Sequence, residues 1–298
     1  MISGNKTARP FLKWAGGKSK LSDEIFSLIP FEKEKKFMFV EPFVGSGAVL
    51  FRVLAHFPNI TGAVINDINS DLINGYIAIR DSVEEIIDIL TQFESYYNSP
   101  DTNSDLRKEF YYSKRDLFNQ RESDNITRAA IFIFLNRTCF NGLYRVNKKN
   151  GFNVPIGDYT NPQICNAENL REVSNQLQKV TILNGDFYDT LHYAGADSFY
   201  YNDPPYKPLS KSSNFTSYSK ENFDDREQIR LKNFCDELSK RGAVWALSNS
   251  DVKGNDPENN FFDDLFKDYK IKRVLARRNI NSKASRRGKI SELMISNQ

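Results

Sequence analysis

The sequence predicts a mixed α/β protein: a Rossmann-like, doubly wound sheet interrupted by a mainly helical insertion that closes in a β-hairpin. Three observations carry this prediction. First, the apolar run "FMFVE" at 37–41 is followed by the glycine-bearing loop "PFVGSG", the helical stretch "AVLFRVLAHF" and a second run, "GAVIND", at 62–67. Such a β-loop-α-β unit opens a doubly wound sheet and puts a ligand crevice at the carboxyl ends of its strands. Second, beyond "NSDLINGYIAIRDS" the texture turns helical over 83–97, 104–122 and 126–138 with no strand signal between, and ends in "LYRVNKKNGFNVPIG", two β-like runs about the turn "KKNG". Third, strand-like runs return as "VTILN", "SFYYN", "AVWALSN", "KIKRVLA" and "ISELMIS", separated by helical stretches such as 222–241. The sheet domain is therefore expected to be discontinuous, 1–70 and 165–298, around an insertion at 71–164.

Length and composition fit this plan. The 298 residues, 40 % of them hydrophobic, suffice for one large core or for a domain carrying a sizeable insertion. The start lacks an apolar signal-like segment, and the longest strongly apolar run, "AAIFIFL" at 129–135, is too short to cross a bilayer, so a cytoplasmic protein with no membrane partner is expected. Cys139, Cys165 and Cys235 are odd in number and form no CxxC pair, which argues against both a disulfide framework and a metal site.

The net charge of +3 conceals a segregation. The windows 126–157 and 269–291 contain no acid and hold 14 of the 41 basic residues, leaving 27 against 38 acids elsewhere. Two solvated basic faces would account for either window alone; together they favour a polyanionic partner.

The glycine loop "EPFVGSG" places Gly45 and Gly47 where a strand turns into a helix and where small residues let a ligand approach the backbone. The third glycine of a dinucleotide fingerprint is replaced, since Leu50 follows Gly47, which favours a nucleoside cofactor without a pyrophosphate. Asp67, twenty residues past Gly47, ends the second strand where an acid accepts ribose hydroxyls; its competing use is as an N-cap for the helix that follows. "FLKWAGGKSKL" is not a phosphate loop, because Leu12 stands where the first glycine is required. Lys18 suits an anionic group, and Trp14 is either the ring wall of a pocket or a buried structural residue.

"FYYNDPPYKPLS", residues 199–210, ends a strand with an acid, two prolines and an aromatic ring. An exocyclic amine on a base is a poor nucleophile because its lone pair is delocalised. Asp203 can accept one of its N–H groups and the Pro204 carbonyl the other, so that the nitrogen is drawn toward tetrahedral geometry. Pro204 and Pro205 stiffen the turn, and Tyr206 offers a face for stacking, worth about 1–3 kcal/mol per base. A base inside a duplex would first have to leave the stack, and Arg145, Lys148 and Lys149 in the hairpin, with Arg277, Arg278, Lys283, Arg286 and Arg287 in the tail, are expected to supply the backbone contacts that offset this cost. Phe140 and Tyr144 are candidate wedges into the vacated gap.

These residues carry a resemblance. "FLKWAGGK", "EPFVGSG", "IND", "FNGLYRVN", "FNVPIGDY", "GDF", "DPPYKPLS", "NFTSY" and "RGKISELMISN", in this order from about Phe11 to Asn297, resemble the Dam family of DNA adenine N6-methyltransferases of the alpha group, which use S-adenosylmethionine and usually act at GATC. The resemblance implies a Rossmann-like methyltransferase sheet with an inserted DNA-recognition domain. It implies that Trp14, Lys18, Asp67 and Asp203 bind the cofactor, that Glu41, Pro42, Phe43, Gly45 and Gly47 belong to its loop, and that Asp186 and Phe187 lie at its adenine. Asp203, Pro204, Pro205 and Tyr206 would hold the target base. Lys13, Leu143, Arg145 and Pro155 would read the site, with Asn153 on the same surface, while Phe140 and Asn141 intrude beside the flipped base. The intruding aromatic is often Tyr, so its hydroxyl contact is missing here. Double-stranded DNA, a nucleoid-associated location and a cognate restriction endonuclease follow as expected partners and setting. The acid-Pro-Pro-aromatic turn alone also suits cytosine N4 or RNA adenine, and a catalytically silent DNA-binding protein on the same scaffold is the reading from a different class.

Overall fold

A computed structural model of the chain describes residues 7–14, 22–207, 223–277 and 289–298. Its elements are α1 (Ser22–Ser27), β1 (Met38–Glu41), α2 (Ala48–His56), β2 (Gly62–Asp67), α3 (Ser70–Asp81), α4 (Val83–Tyr97), α5 (Ser104–Gln120), α6 (Asn125–Thr138), α7 (Ala167–Leu177), β3 (Val180–Asn184), β4 (Ser198–Asn202), α8 (Asp225–Lys240), β5 (Val244–Ser250), α9 (Phe261–Leu265), β6 (Lys270–Arg277) and β7 (Lys289–Ser296).

The strands form one seven-stranded sheet in the order β3-β2-β1-β4-β5-β7-β6. The first five are parallel, and β7 is antiparallel to both β5 and β6. Because β1 feeds outward to β2 on one side and lies beside β4 on the other, the topological switch point falls between β1 and β4. Their registers match, with Val40 opposite Tyr200, so the residues that follow both strands emerge side by side.

Alternation builds two apolar layers. Phe39, Phe199 and Tyr201 face one cluster with Ile65, Leu72 and Phe132. Their neighbours Val40 and Tyr200 face the other, with Phe234, Trp245 and Phe262. The first cluster runs without a break from the sheet through α2 and α3 into α4, α6 and α7, so the inserted helices and the sheet share one core. α6 is buried on all sides, which explains the unbroken "AAIFIFL" run, and no helix among the described residues is long and apolar enough to cross a membrane.

Most helix starts are marked by local chemistry. Asn69, Asn103, Asp124, Asn166 and Asp224 each accept a backbone N–H from the first turn of the helix they precede. α5 stops at Gln120, short of the expected 122, because Arg121 takes a left-handed conformation at φ 60°. The expected hairpin differs in degree: single antiparallel bridges, Val146–Phe152 and Cys139–Ile156, replace two regular strands. The turn is held instead by the Asn147 side chain, which accepts the Lys149 and Gly151 amides, with Asn150 at φ 60°.

The basic windows require a correction. Arg128 is buried and paired with Asp71, and Arg137 is part-buried, donates to the Phe11 carbonyl, and has its pKa lowered by burial. In β6, Lys272 pairs with Glu24, and Arg273 with Asp251 and Asp263. Of the first window only Arg145, Lys148 and Lys149 present charge at the surface. Arg277 closes β6, while Arg278, Lys283, Arg286 and Arg287 lie outside the described residues.

Candidate active site

β1 ends on Glu41, and the chain turns through Pro42–Ser46 into α2. Gly45 and Gly47 take φ of +50° and +72°, which side chains rarely adopt. Space argues the same way: a Cβ at Gly45 would lie 3.1 Å from the Trp14 ring, and one at Gly47 2.7 Å from the Tyr76 hydroxyl. That hydroxyl donates to the Gly45 carbonyl at 2.9 Å, fixing the bend from below.

Asp67, at the end of the adjacent β2, accepts the Gly45 amide at 3.2 Å through Oδ2 and the Asn69 amide at 2.9 Å through Oδ1. The N-cap of α3 is Asn69, so the competing use of Asp67 as a helix cap does not apply. Asn66 ties the next loop in, donating to the Pro42 and Gly185 carbonyls, and Asn184 donates to the Asp67 carbonyl. Phe187, buried, packs on Phe43 at 5.3 Å between centroids. Asp186 caps the turn that follows, through the Tyr188 amide, and forms a two-point ion pair with Arg230. Ile68, beside Asp67, is 58 % exposed, an unusual position for an apolar side chain. Glu41, Pro42, Phe43, Gly45, Gly47, Asp67, Asp186 and Phe187 thus lie on adjoining turns at the carboxyl ends of β1, β2 and β3, with Trp14 against Gly45; Lys18 lies outside the described residues.

Asp203, Pro204, Pro205 and Tyr206 follow β4 on the same edge of the sheet. Asp203 and Tyr206 are half-buried and Pro205 is exposed, so the turn is open rather than sealed. A polar scaffold holds it. Ser248 donates to Asp203 at 2.8 Å and is 3.0 Å from the Tyr201 hydroxyl. Gln228, buried, donates to the Pro205 carbonyl and accepts from Asn249, whose Oδ1 receives the Lys207 amide. The Tyr206 hydroxyl donates to Glu292 of β7 at 3.1 Å. Ser248, Asn249 and Gln228 fall in no motif of the sequence, whereas Glu292 lies inside "RGKISELMISN".

Electrostatics join the two halves. Burial, then the nearby charge of Asp203 and more weakly of Asp67, pushes the Glu41 carboxyl well above its usual range, against a lowering contribution from the Leu50 amide. Burial also raises Asp67, although the Asn69 and Gly45 amides oppose it. Glu41 Oε2 is buried with no hydrogen-bond partner among the described residues. Three neighbouring carboxyl groups, one of them with a buried oxygen that lacks a partner among the described residues, make these turns suited to a ligand that carries positive charge, as a sulfonium and an ammonium do.

The DNA-facing candidates form a second, adjoining cluster. The Phe140 amide donates to the Pro155 carbonyl. Arg145 donates to the Asn153 side chain at 2.7 Å and to its carbonyl at 3.2 Å. Gly142, at φ +63°, packs so closely on Lys13 that a Cβ there would lie 2.4 Å from Cδ. Asn136, unmarked in sequence, bonds to both ends of the Lys13 backbone and to the Gly142 carbonyl. Phe140, Asn141, Arg145, Pro155 and Lys13 are exposed, and Leu143 and Asn153 half-buried. Tyr144 corrects the expectation of a wedge: it is 4 % exposed, and its hydroxyl donates to Asp71 at 3.2 Å.

The sheet order, with its switch point between β1 and β4, is that of the Rossmann-like S-adenosylmethionine-dependent methyltransferases. The chain belongs to the D12 class of N6 adenine-specific DNA methyltransferases, whose family profile matches residues 14–280. It is 47 % identical over 294 residues to the type II methyltransferase M.MjaIII of Methanocaldococcus jannaschii, covering 97 % of this chain and 99 % of that one. It is 40 % identical to the type II methyltransferase M1.LlaDCHI of Lactococcus lactis subsp. cremoris, covering 100 % and 98 %. Against the DNA adenine methylase of Haemophilus influenzae identity is 37 %, covering 96 % and 92 %. The protein is thus an adenine-specific DNA methyltransferase that uses S-adenosylmethionine.

Proposed function

We propose that the enzyme methylates adenine N6 within GATC of double-stranded DNA after turning the target base out of the duplex, with Asp203–Tyr206 holding that base. The observation that carries this reading is the shared edge of β1 and β4, which puts the open Asp203 turn beside the Glu41–Gly47 bend. S-adenosylmethionine supplies an electrophilic methyl group; the remaining work falls to the chain. Glu41 and Asp67 attract the cationic cofactor, Ile68 and Phe187 provide apolar surface for its base, and Trp14 walls the bend.

At the turn, Asp203 and the Pro204 carbonyl accept the two N–H groups of the amine, and Ser248 fixes the carboxylate's direction. Tyr206, anchored through Glu292, presents its face to the base. The nitrogen becomes cationic only on methyl transfer, so Asp203 need act only as a hydrogen-bond acceptor until then. Phe140, 52 % exposed at the tip of its turn, is the wedge that fills the vacated stack. Arg145, held by Asn153, suits a guanine edge, and Leu143 with Pro155 a thymine methyl. The reading of the site as GATC is supported by these residue types at the positions of the resembled family. The likeness to relatives named type II methyltransferases supports a cognate endonuclease acting on the same DNA site.

The test is transfer of labelled methyl from the cofactor to a duplex containing one GATC, beside a duplex with that site scrambled. Label should enter only the first, at adenine, and Asp203→Ala should label neither while still binding both. Equal labelling of the two duplexes discards the site; no labelling of either discards the reaction.

A further inference from the structure

Asp71 lies in the first turn of α3, four residues beyond Asp67, and no step described above uses it. It is 5 % exposed, yet its carboxylate gathers donors from three separate elements. Arg128 of α6 reaches Oδ1 with Nε at 3.0 Å and Nη2 at 2.7 Å. Tyr144, from the segment that carries Leu143 and Arg145, donates to Oδ2 at 3.2 Å. Arg121, at the end of α5, approaches the same oxygen at 3.5 Å.

Two of these partners lead outward. The Tyr144 ring stacks on Trp14 at 5.5 Å and 23°, and Trp14 is the ring that packs closely on Gly45. The circuit then closes, because the Gly45 amide bonds to Asp67, Asp67 to the Asn69 amide, and the Asn69 side chain to the Asp71 amide. Arg121 leads the other way: its Nη2 also donates to the Asn150 carbonyl at 3.2 Å, in the turn that displays Lys148 and Lys149 to solvent.

We propose that Asp71 is a positioning residue that couples the basic 147–151 turn to the cofactor bend, through Arg121 on one side and through Tyr144 and Trp14 on the other. This rests on the reading that the bend holds S-adenosylmethionine and the turn faces DNA. When phosphates engage Lys148 and Lys149, the Asn150 carbonyl and Arg121 are held against Asp71; that restrains Tyr144, and Trp14 is pinned at the bend. Coupling of two binding equilibria is reciprocal, so cofactor must tighten DNA binding by the same factor. The arrangement explains why a buried carboxylate with an arginine partner of its own also takes a tyrosine and a second, part-exposed arginine.

The experiment measures cofactor affinity with and without a saturating duplex, and emission from Trp14 in a Trp245→Phe background, since the chain has only two tryptophans. In the parent enzyme, duplex should tighten cofactor binding about fivefold or more, within the usual range for coupled sites, and should shift Trp14 emission without cofactor present. Arg121→Gln, at a side chain 40 % exposed, should leave cofactor affinity without DNA unchanged and bring the coupling factor to about one. Tyr144→Phe keeps the stacked ring but removes its hydrogen bond to Asp71; it should abolish the DNA-induced emission shift and raise KM for cofactor with kcat retained. Asp71→Asn combines both losses, and the Arg121 and Tyr144 variants keep the test decisive if that protein fails to fold. An Arg121→Gln enzyme with undiminished coupling overturns the proposal, as does a parent enzyme with none. A parent that binds neither cofactor nor duplex defeats instead the functional reading beneath it.

Discussion

Glu41 shows what a single residue gives up in stability for the site. Its carboxyl is buried beneath the glycine bend, one oxygen lacks a partner among the described residues, and Asp203 and Asp67 raise the cost of ionising it. The folded state therefore holds its proton more tightly than the unfolded chain does. The stabilisation this gives is complete below the ordinary glutamate range, near pH 4, and is lost as pH rises through the raised value. Glu41→Gln removes the penalty. At pH 8, without cofactor, the variant should melt a few degrees above the parent, a gain of about 1 kcal/mol, and the difference should vanish near pH 4. The same variant should bind S-adenosylmethionine more than about tenfold less tightly, because a hydrogen bond to a charged group contributes about 1.5–3 kcal/mol. Paired melting curves with and without cofactor check both effects; a variant neither more stable alone nor less stabilised by cofactor would remove Glu41 from the cofactor site.

At the scale of elements, the Asp203 turn depends on strands and helices far from it in sequence. β5 contributes Ser248 and Asn249, α8 contributes Gln228 and β7 contributes Glu292, each reaching a different atom of a five-residue stretch. Gln228→Ala leaves the buried Asn249 amide without this partner, which costs about 1–3 kcal/mol, and releases the Pro205 carbonyl. Because the loss falls on the direction of the turn rather than on its presence, kcat should fall about tenfold or more, while duplex affinity stays within about twofold. Steady-state kinetics beside a binding titration separate the two; a fall in affinity alone would mean that Gln228 serves binding.

This scaffold also marks the limit of what sequence makes legible. The turn and the glycine bend are readable because their chemistry is contiguous: strand, acid and prolines, or strand and glycines, stand in order along the chain. The β2 strand at 62–67 and the α4 helix at 83–97 are readable for the same reason, their periodicity being local. Ser248 and Gln228 are ordinary residue types whose partners lie 45 and 23 positions away, so no local pattern marks them. Tyr144 misleads because an aromatic in a basic turn looks exposed until the fold supplies Asp71, 73 positions earlier, as its acceptor.

At the scale of the whole molecule, charge segregation has to be counted after folding. The 126–157 window loses Arg128 to a buried ion pair and Arg137 to the packing around Phe11, which leaves Arg145, Lys148 and Lys149 on its surface beside Lys13. Within this group the roles divide by chemistry. Arg145 is fixed by Asn153 and suits a base edge, whereas Lys148 and Lys149 stand exposed within the turn and suit phosphate. Each phosphate neutralised releases condensed counterions and steepens the fall of affinity with salt, by about 0.9 in the slope of log K against log salt. Replacing Lys148 and Lys149 together by alanine should therefore flatten that slope by about 2 and weaken GATC and scrambled duplexes by the same factor. Arg145→Ala should narrow the gap between those two duplexes, by about 1–3 kcal/mol of discrimination. Binding isotherms at a series of salt concentrations on both duplexes resolve these effects. An unchanged slope in the double lysine variant would mean that the turn at 147–151 does not touch the DNA backbone, and the polyanion would then have to be held by basic residues elsewhere on the chain.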